Sequence, residues 1–212
     1  MRVTFRKLGR ARYISHLDLN RTMTRAVRRA GLPIWYTEGF NRHPYLTFAS
    51  PLSLGYEGER ETMDVRLEKD MDLVELANRL NAVMPEGLEI TDAAWAVKKA
   101  GEVDRAVYRI TVSCSADTVL ALFDKNEILV QKRTKKKDIK TVDLKPALAA
   151  SAPTITETDH GCVIELTLPC NSADTVNPSL VMTALESVTH TTSITYTVRR
   201  LAVLDKDGEI FI

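Results

Sequence analysis

Apolar and polar positions alternate over Arg2–Leu8, with Val3, Phe5 and Leu8 set against Arg2, Thr4 and Arg6, and this period predicts a strand. Leu19, Met23, Ala26, Val27 and Ala30 then recur at helical spacing. Ser15 and Asp18 stand as the S-x-x-D of a capping box, and Gly31 sits where a helix takes a left-handed stop. A helix is therefore expected over residues 16–30. Pro33–Thr37 reads as a short strand, residues 38–58 as a long loop and Thr62–Leu67 as a strand. Leu73–Met84 is an amphipathic helix closed by Pro85 and Gly87, and Leu88–Val97 is the next strand. Lys98–Glu102 reads as a linker.

The second half repeats the plan without repeating the sequence. Val107–Ser113 alternates as a strand, and Ser115 caps a helix running to Asn126. Glu127–Thr134 and Lys140–Leu144 flank a lysine-rich turn, and Pro146–Ala150 suits a short helix. Thr154–Thr158 and Cys162–Leu168 flank the hairpin signal Asp159-His160-Gly161. Asn177-Pro178 opens a helix to Ser187, Ile194–Leu204 is a long strand, and Asp207-Gly208 turns into a terminal strand over Glu209–Ile212. The expected fold class is α+β: two ferredoxin-like β-α-β-β-α-β halves packed side by side, over residues 1–98 and 104–212.

Composition narrows the class. The 212 residues suit one large domain or two of about 100, and 44% hydrophobic with 27% charged residues is ordinary globular usage. No apolar run approaches the ~20 residues that span a bilayer, and MRVTFRKL lacks the apolar core of a secretory signal. These features predict a cytoplasmic protein without membrane contact. Cys114, Cys162 and Cys170 are odd in number and show no close spacing, which predicts reduced thiols, no metal or iron–sulfur cluster and no cofactor.

Charge changes the picture more. The net is only +1, yet residues 1–45 hold ten Lys and Arg against Asp18 and Glu38, a local net of +8. Residues 57–75 reverse this with eight acids. A segregated basic field attracts polyanions whatever the total. On the predicted helix, Arg21, Arg25, Arg28 and Arg29 share one arc with Asp18, opposite the apolar stripe. All four are arginine, the planar fork suited to phosphate. The competing reading is a solvated face neutralised by the acids of 57–75.

The loop beyond the helix holds Asn41, Arg42 and His43, with Tyr13, Tyr36 and His16 as further polar candidates. Two chemistries are open to this group. The residues bind a phosphate backbone, or His16 or His43 acts as general base toward a 2′-hydroxyl in metal-independent RNA cleavage. Lys132, Arg133, Lys135, Lys136, Lys137 and Lys140 around the later turn are either edge protection or backbone contacts. Aromatic residues are only 6% of the chain, so base stacking is expected to be minor.

Ser15–Arg21, Arg25–Pro33, Tyr36–Asn41, His43-Pro44 and Pro51–Gly55 together carry a resemblance. The pattern SHLDL-x-R … RRAGLP-x-x-Y-x-EGFN-x-HP … PL-x-LG resembles a bacterial family labelled radical-SAM-associated or radical-SAM-linked. The resemblance implies a domain that occurs alone or fused to a radical-SAM enzyme, often encoded near ribosomal proteins and an E/G-type ribonuclease. It thereby implies RNA or ribosome maturation. Tyr45-Leu46 departs from the basic residue that relatives often carry after His-Pro. A more distant likeness, of plan only, is to the tandem ferredoxin-like RNA endonucleases of CRISPR systems. Their glycine-rich C-terminal loop is missing, since only Gly208 lies beyond Gly161.

The leading expectation is a non-catalytic RNA- or ribonucleoprotein-binding accessory protein that works with a radical-SAM enzyme. Its contacts would be Arg21, Arg25, Arg28, Arg29, Asn41, Arg42, His43, Lys135, Lys136 and Lys137. The alternatives are a metal-independent ribonuclease using His16 or His43, and a protein-docking module for an acidic partner.

Overall fold

Strand β1 (Arg2–Lys7) is buried along its length except at Arg6, although its sequence alternates. Its polar side is covered as well: Arg2 and Lys7 are each about 1% exposed. A computed structural model describes residues 1–133, 138–171, 174–189 and 194–212. The chain divides into two compact units, residues 1–103 with 200–212, and residues 104–199.

In the first unit β1 lies between β3 (Glu57–Val65) and β4 (Leu88–Ala94), antiparallel to both. The local order is β4-β1-β3, and a short strand β2 (Leu46–Phe48) pairs antiparallel with the end of β3, off that path. Helices α1 (His16–Arg29) and α2 (Leu73–Asn81) supply the rest of the core. Val3, Phe5, Leu19, Met23, Val27, Met63, Leu76 and Leu80 form one buried cluster. Each such side chain contributes roughly 1.5–3 kcal/mol of burial, which fixes the face that α1 turns inward.

Two stretches differ from the expectation. Pro33–Thr37 forms only isolated bridges, Ile34 to Leu67 and Tyr36 to Pro44, and the paired strand comes later, at Leu46–Phe48. Pro33 and Pro44 have no N–H to give a ladder, so the segment folds on itself instead. Tyr45 N–H donates to the Trp35 carbonyl at 3.0 Å and Thr37 N–H to that of His43 at 2.9 Å, closing a hairpin over residues 34–45. Residues 209–212 likewise make one bridge, Leu204 to Ile210, in place of a strand. The expected linker is anchored: Lys98 forms an ion pair with Asp205 and another, at 3.3 Å, with Glu209.

In the second unit β5 (Val103–Val112) pairs antiparallel with β9 (Gly161–Pro169), and β9 with β8 (Thr154–Thr158). Helices α3 (Ala116–Phe123), α4 (Lys145–Ala150) and α5 (Pro178–Thr189) accompany them. Val119, Leu122, Ile164, Leu168, Val181 and Leu185 are buried. Gly161 sits at φ +136°, where a Cβ would fall 2.1 Å from the Val112 carbonyl. Only glycine admits that close approach. Strands β6 (Leu129–Arg133) and β7 (Ile139–Asp143) form a separate two-stranded ribbon. The last strand, β10 (Tyr196–Asp205), ends in the first unit, where it runs beside β3. The class is α+β, with five α-helices among the described residues.

Candidate nucleic-acid interface

Helix α1 is set at both ends by its own sequence. The Ser15 hydroxyl accepts from Asp18 N–H at 3.1 Å, satisfying one orphan donor of the first turn. At the other end Gly31 N–H donates to Arg28 and Leu32 N–H to Val27, with Gly31 at φ +62°. This is a Schellman stop. Between these caps Leu19, Met23, Ala26 and Val27 are buried, and the arginines are left on the outer face.

The four arginines are not equivalent. Arg21 pairs with Asp18 one turn back, at 3.2 Å. Arg29 donates to the Val83 carbonyl at 2.6 Å, tying α1 to the turn after α2. Arg28 lies over the Tyr36 ring at 5.8 Å, which joins the helix to the hairpin stem. Arg25 makes no hydrogen bond or ion pair among the described residues. Arg25, Arg28 and Arg29, with Thr22 and Pro85, line a cavity of about 470 Å³. Arg28 and Arg29 also complement the negative end of the helix dipole; Arg25, a turn earlier, has less of that support.

The acids of residues 57–75 do not neutralise this face. Asp64 pairs with Arg2, Glu59 with Arg6, Glu61 with Arg200 and Glu75 with Arg79. Glu57 accepts from Gly9 N–H, and Asp72 caps α2. The basic field is correspondingly smaller than its sequence count. Arg2 and Lys7 belong to the interior and Arg6 is paired, so on α1 the guanidiniums without a polar partner among the described residues are those of Arg25 and Arg28.

The hairpin presents Asn41, Arg42 and His43 as exposed residues at its tip. The His43 ring is fixed: Nδ1 lies 3.0 Å from the Asn41 carbonyl, and the Thr37 hydroxyl accepts His43 N–H at 3.2 Å. His16 is elsewhere. Its ring packs edge-on against Phe48 at 5.1 Å, and its Nδ1 is buried without a partner. Burial, and then the Lys7 ammonium, hold its pKa below the ordinary histidine value. Among the described residues the two histidines share no hydrogen-bond partner, and neither has a carboxylate hydrogen-bonded to its ring.

Lys135, Lys136 and Lys137 lie outside the described residues. Earlier in the same basic run of the sequence, Lys132 donates to the Thr175 carbonyl at 2.7 Å. Cys114, Cys162 and Cys170 form no disulfide among the described residues. Burial, followed by Cys114 and Glu157, pushes the Cys162 thiol up to about 11, which leaves no nucleophilic thiolate there at neutral pH. No cluster of three or more His, Cys, Asp or Glu suited to a metal occurs among the described residues. No helix among them is long and apolar enough to cross a membrane.

Two features escape a reading of the sequence. Phe40 is completely exposed, at 101%, on the hairpin tip between Gly39 and Asn41. An aromatic residue inside a polar turn was the available signal. The other is a buried polar network. Arg200, 2% exposed, holds Glu61 through Nε at 2.9 Å and Nη2 at 2.5 Å, and reaches the Ser50 hydroxyl and carbonyl. Lys7 lies beside this pair and donates to the Arg12 carbonyl at 3.2 Å. Burial lowers its pKa, Glu61 opposes that and Arg200 adds to it. Glu61 and Arg200 are 139 residues apart, and no local pattern announces them.

The basic helix with its aromatic-tipped hairpin defines an α+β protein with an open arginine-lined cavity. The chain belongs to the family described as "Uncharacterized protein conserved in bacteria (DUF2344)", whose sequence profile matches residues 1–178. No curated protein matches the chain.

Proposed function

We propose that the protein is a non-catalytic accessory protein that grips the phosphates of structured RNA, or of a ribonucleoprotein, in the cytoplasm. The observation that carries this reading is the cavity of Arg25, Arg28 and Arg29, whose guanidiniums have no carboxylate partner among the described residues. Unneutralised arginines on one face repel one another, and an anion relieves that repulsion. The Asn41–His43 tip, linked to the helix through Arg28 and Tyr36, adds directional contacts and the Phe40 ring. Action with a radical-SAM enzyme rests on the sequence resemblance alone. The order β4-β1-β3 in the first unit supports a ferredoxin-like plan there, with β2 at Leu46–Phe48 paired only to the end of β3.

The test is fluorescence anisotropy with a labelled RNA stem-loop at low salt, for the wild type and an Arg25→Gln/Arg28→Gln variant. The wild type is expected to bind and the variant to bind more weakly with its fold intact. Absence of RNA binding by the wild type, with retention of an acidic protein partner, would replace this reading by protein docking.

A further inference from the structure

The first unit contains a second cavity, of about 270 Å³, at the end of the sheet where β1 begins and β3 and β4 finish. Tyr45, Asp64, Arg66, Asp70 and Trp95 line it together with Met1. Its walls are aromatic and open: Trp95 is 54% exposed and Tyr45 42%. Two of them are held in place. The Arg66 guanidinium lies 4.2 Å from the centre of the Trp35 ring, and Trp35 meets Tyr45 edge-on at 5.9 Å. The two acids differ. Asp64 is occupied by Arg2 through a bidentate pair of 2.6 and 3.0 Å, whereas Asp70 has no hydrogen bond or ion pair among the described residues. The Met1 α-ammonium is engaged by the Val65 carbonyl at 2.9 Å, so the side-chain groups left for a ligand are one carboxylate, Asp70, and one guanidinium, Arg66.

We infer that this cavity takes a guanine base. Half-exposed indole and phenol faces suit a flat heteroaromatic ring, whose stacking on such side chains is a general mode of base capture. A cationic ligand is disfavoured because Arg66 lines the same wall. A simple anion is disfavoured because Asp70 does. What satisfies both is a neutral ring with paired donors on one edge and paired acceptors on another. Guanine offers N1–H and N2–H to a carboxylate, and O6 and N7 to an arginine. Adenine and cytosine each present an exocyclic amino donor but no second ring N–H beside it, and uracil has a single N–H. The volume falls just under the roughly 300–1,000 Å³ of sites that enclose drug-sized ligands. It matches a base with ribose and phosphate outside. The base comes either from a free guanine nucleotide or from an unpaired guanosine in RNA. The inference does not rest on the arginine face, since this pocket binds guanine whether or not α1 holds RNA.

The experiment titrates the full chain with GMP, AMP, CMP and UMP by calorimetry and tryptophan fluorescence. A second arm uses short single-stranded RNAs that differ only in one G or A. GMP is expected to bind with fluorescence quenching, and the other nucleotides about tenfold more weakly, the factor that corresponds to 1.4 kcal/mol. Asp70→Asn should bring GMP down to the level of AMP. Trp95→Ala should abolish binding, and Trp95→Phe should restore it. Asp70 and Trp95 are both on the surface, so the fold is retained. Arg25→Gln/Arg28→Gln should leave GMP affinity unchanged while weakening RNA, which separates failure here from failure of the arginine-face reading. Preference for G in the RNA arm alone, still lost in Asp70→Asn, assigns the pocket to RNA rather than to a free nucleotide. Absence of any guanine preference in both arms, or a preference that survives Asp70→Asn and Trp95→Ala, overturns the inference.

Discussion

Replacing the arginines of α1 one at a time should separate phosphate contacts from structural ones. Each phosphate contact adds about 0.7 to the log–log salt slope for single-stranded RNA and about 0.9 for duplex. Three contacts from Arg25, Arg28 and Arg29 thus predict a slope near 2.1–2.7 from this cavity, or roughly a 20- to 40-fold loss of affinity over a fourfold rise in salt. Arg25→Gln should remove about 0.7–0.9 of that slope at a stability cost within about 0.5 kcal/mol, because its side chain is exposed and unpaired. Arg21→Gln should leave the slope almost unchanged, since Asp18 already neutralises it at 3.2 Å. Arg29→Gln should do both: the slope falls and the protein loses roughly 0.5–1.5 kcal/mol, the usual worth of a hydrogen bond such as that to the Val83 carbonyl. Salt titrations of anisotropy between about 50 and 200 mM, beside urea unfolding of each variant, read out both quantities. Equal slopes for Arg21→Gln and Arg25→Gln would refute the reasoning, because binding would then ignore which guanidinium is already paired.

Arg200→Met leaves the buried Glu61 carboxylate without its guanidinium and should cost about 3–5 kcal/mol by urea unfolding; a loss below 1 kcal/mol would mean the pair is not desolvated as described. His16 has a folded pKa below its unfolded value, so its contribution to stability is complete above the unfolded pKa of about 6.5 and is lost as pH falls through it toward the folded pKa. Unfolding free energy should therefore decline on acidification from about pH 7.5 to 5.5. His16→Phe should flatten that decline, and an undiminished slope in the variant would place the titrating group elsewhere. His43→Ala should weaken RNA binding by roughly 0.5–3 kcal/mol and leave RNA ends intact. Appearance of 2′,3′-cyclic phosphate ends with wild-type protein in EDTA, absent in His43→Ala or His16→Ala, would convert the reading to a ribonuclease.

What the sequence determined by itself is local and periodic. The stripe Leu19, Met23, Ala26 and Val27 placed the arginines outward, and Ser15 and Gly31 set the ends of α1, because caps and helical spacing act within a few residues. The short-range signals at Asp72 and Ser115, and the hairpin between β8 and β9, were legible for the same reason. The tertiary structure decided everything that depends on distant partners. It chose Leu46–Phe48 over Pro33–Thr37 as the strand paired to β3, because ladder hydrogen bonds require free N–H groups and a partner in register. It also sorted the charges. Arg2 and Lys7 read as part of a basic surface until Asp64, Glu61 and Arg200 close around them, and Arg25 reads like any other arginine until no acid arrives. Charge pairing across 62 or 139 residues leaves no trace in local spacing, since it is set by which side chains the sheet brings within a few ångströms.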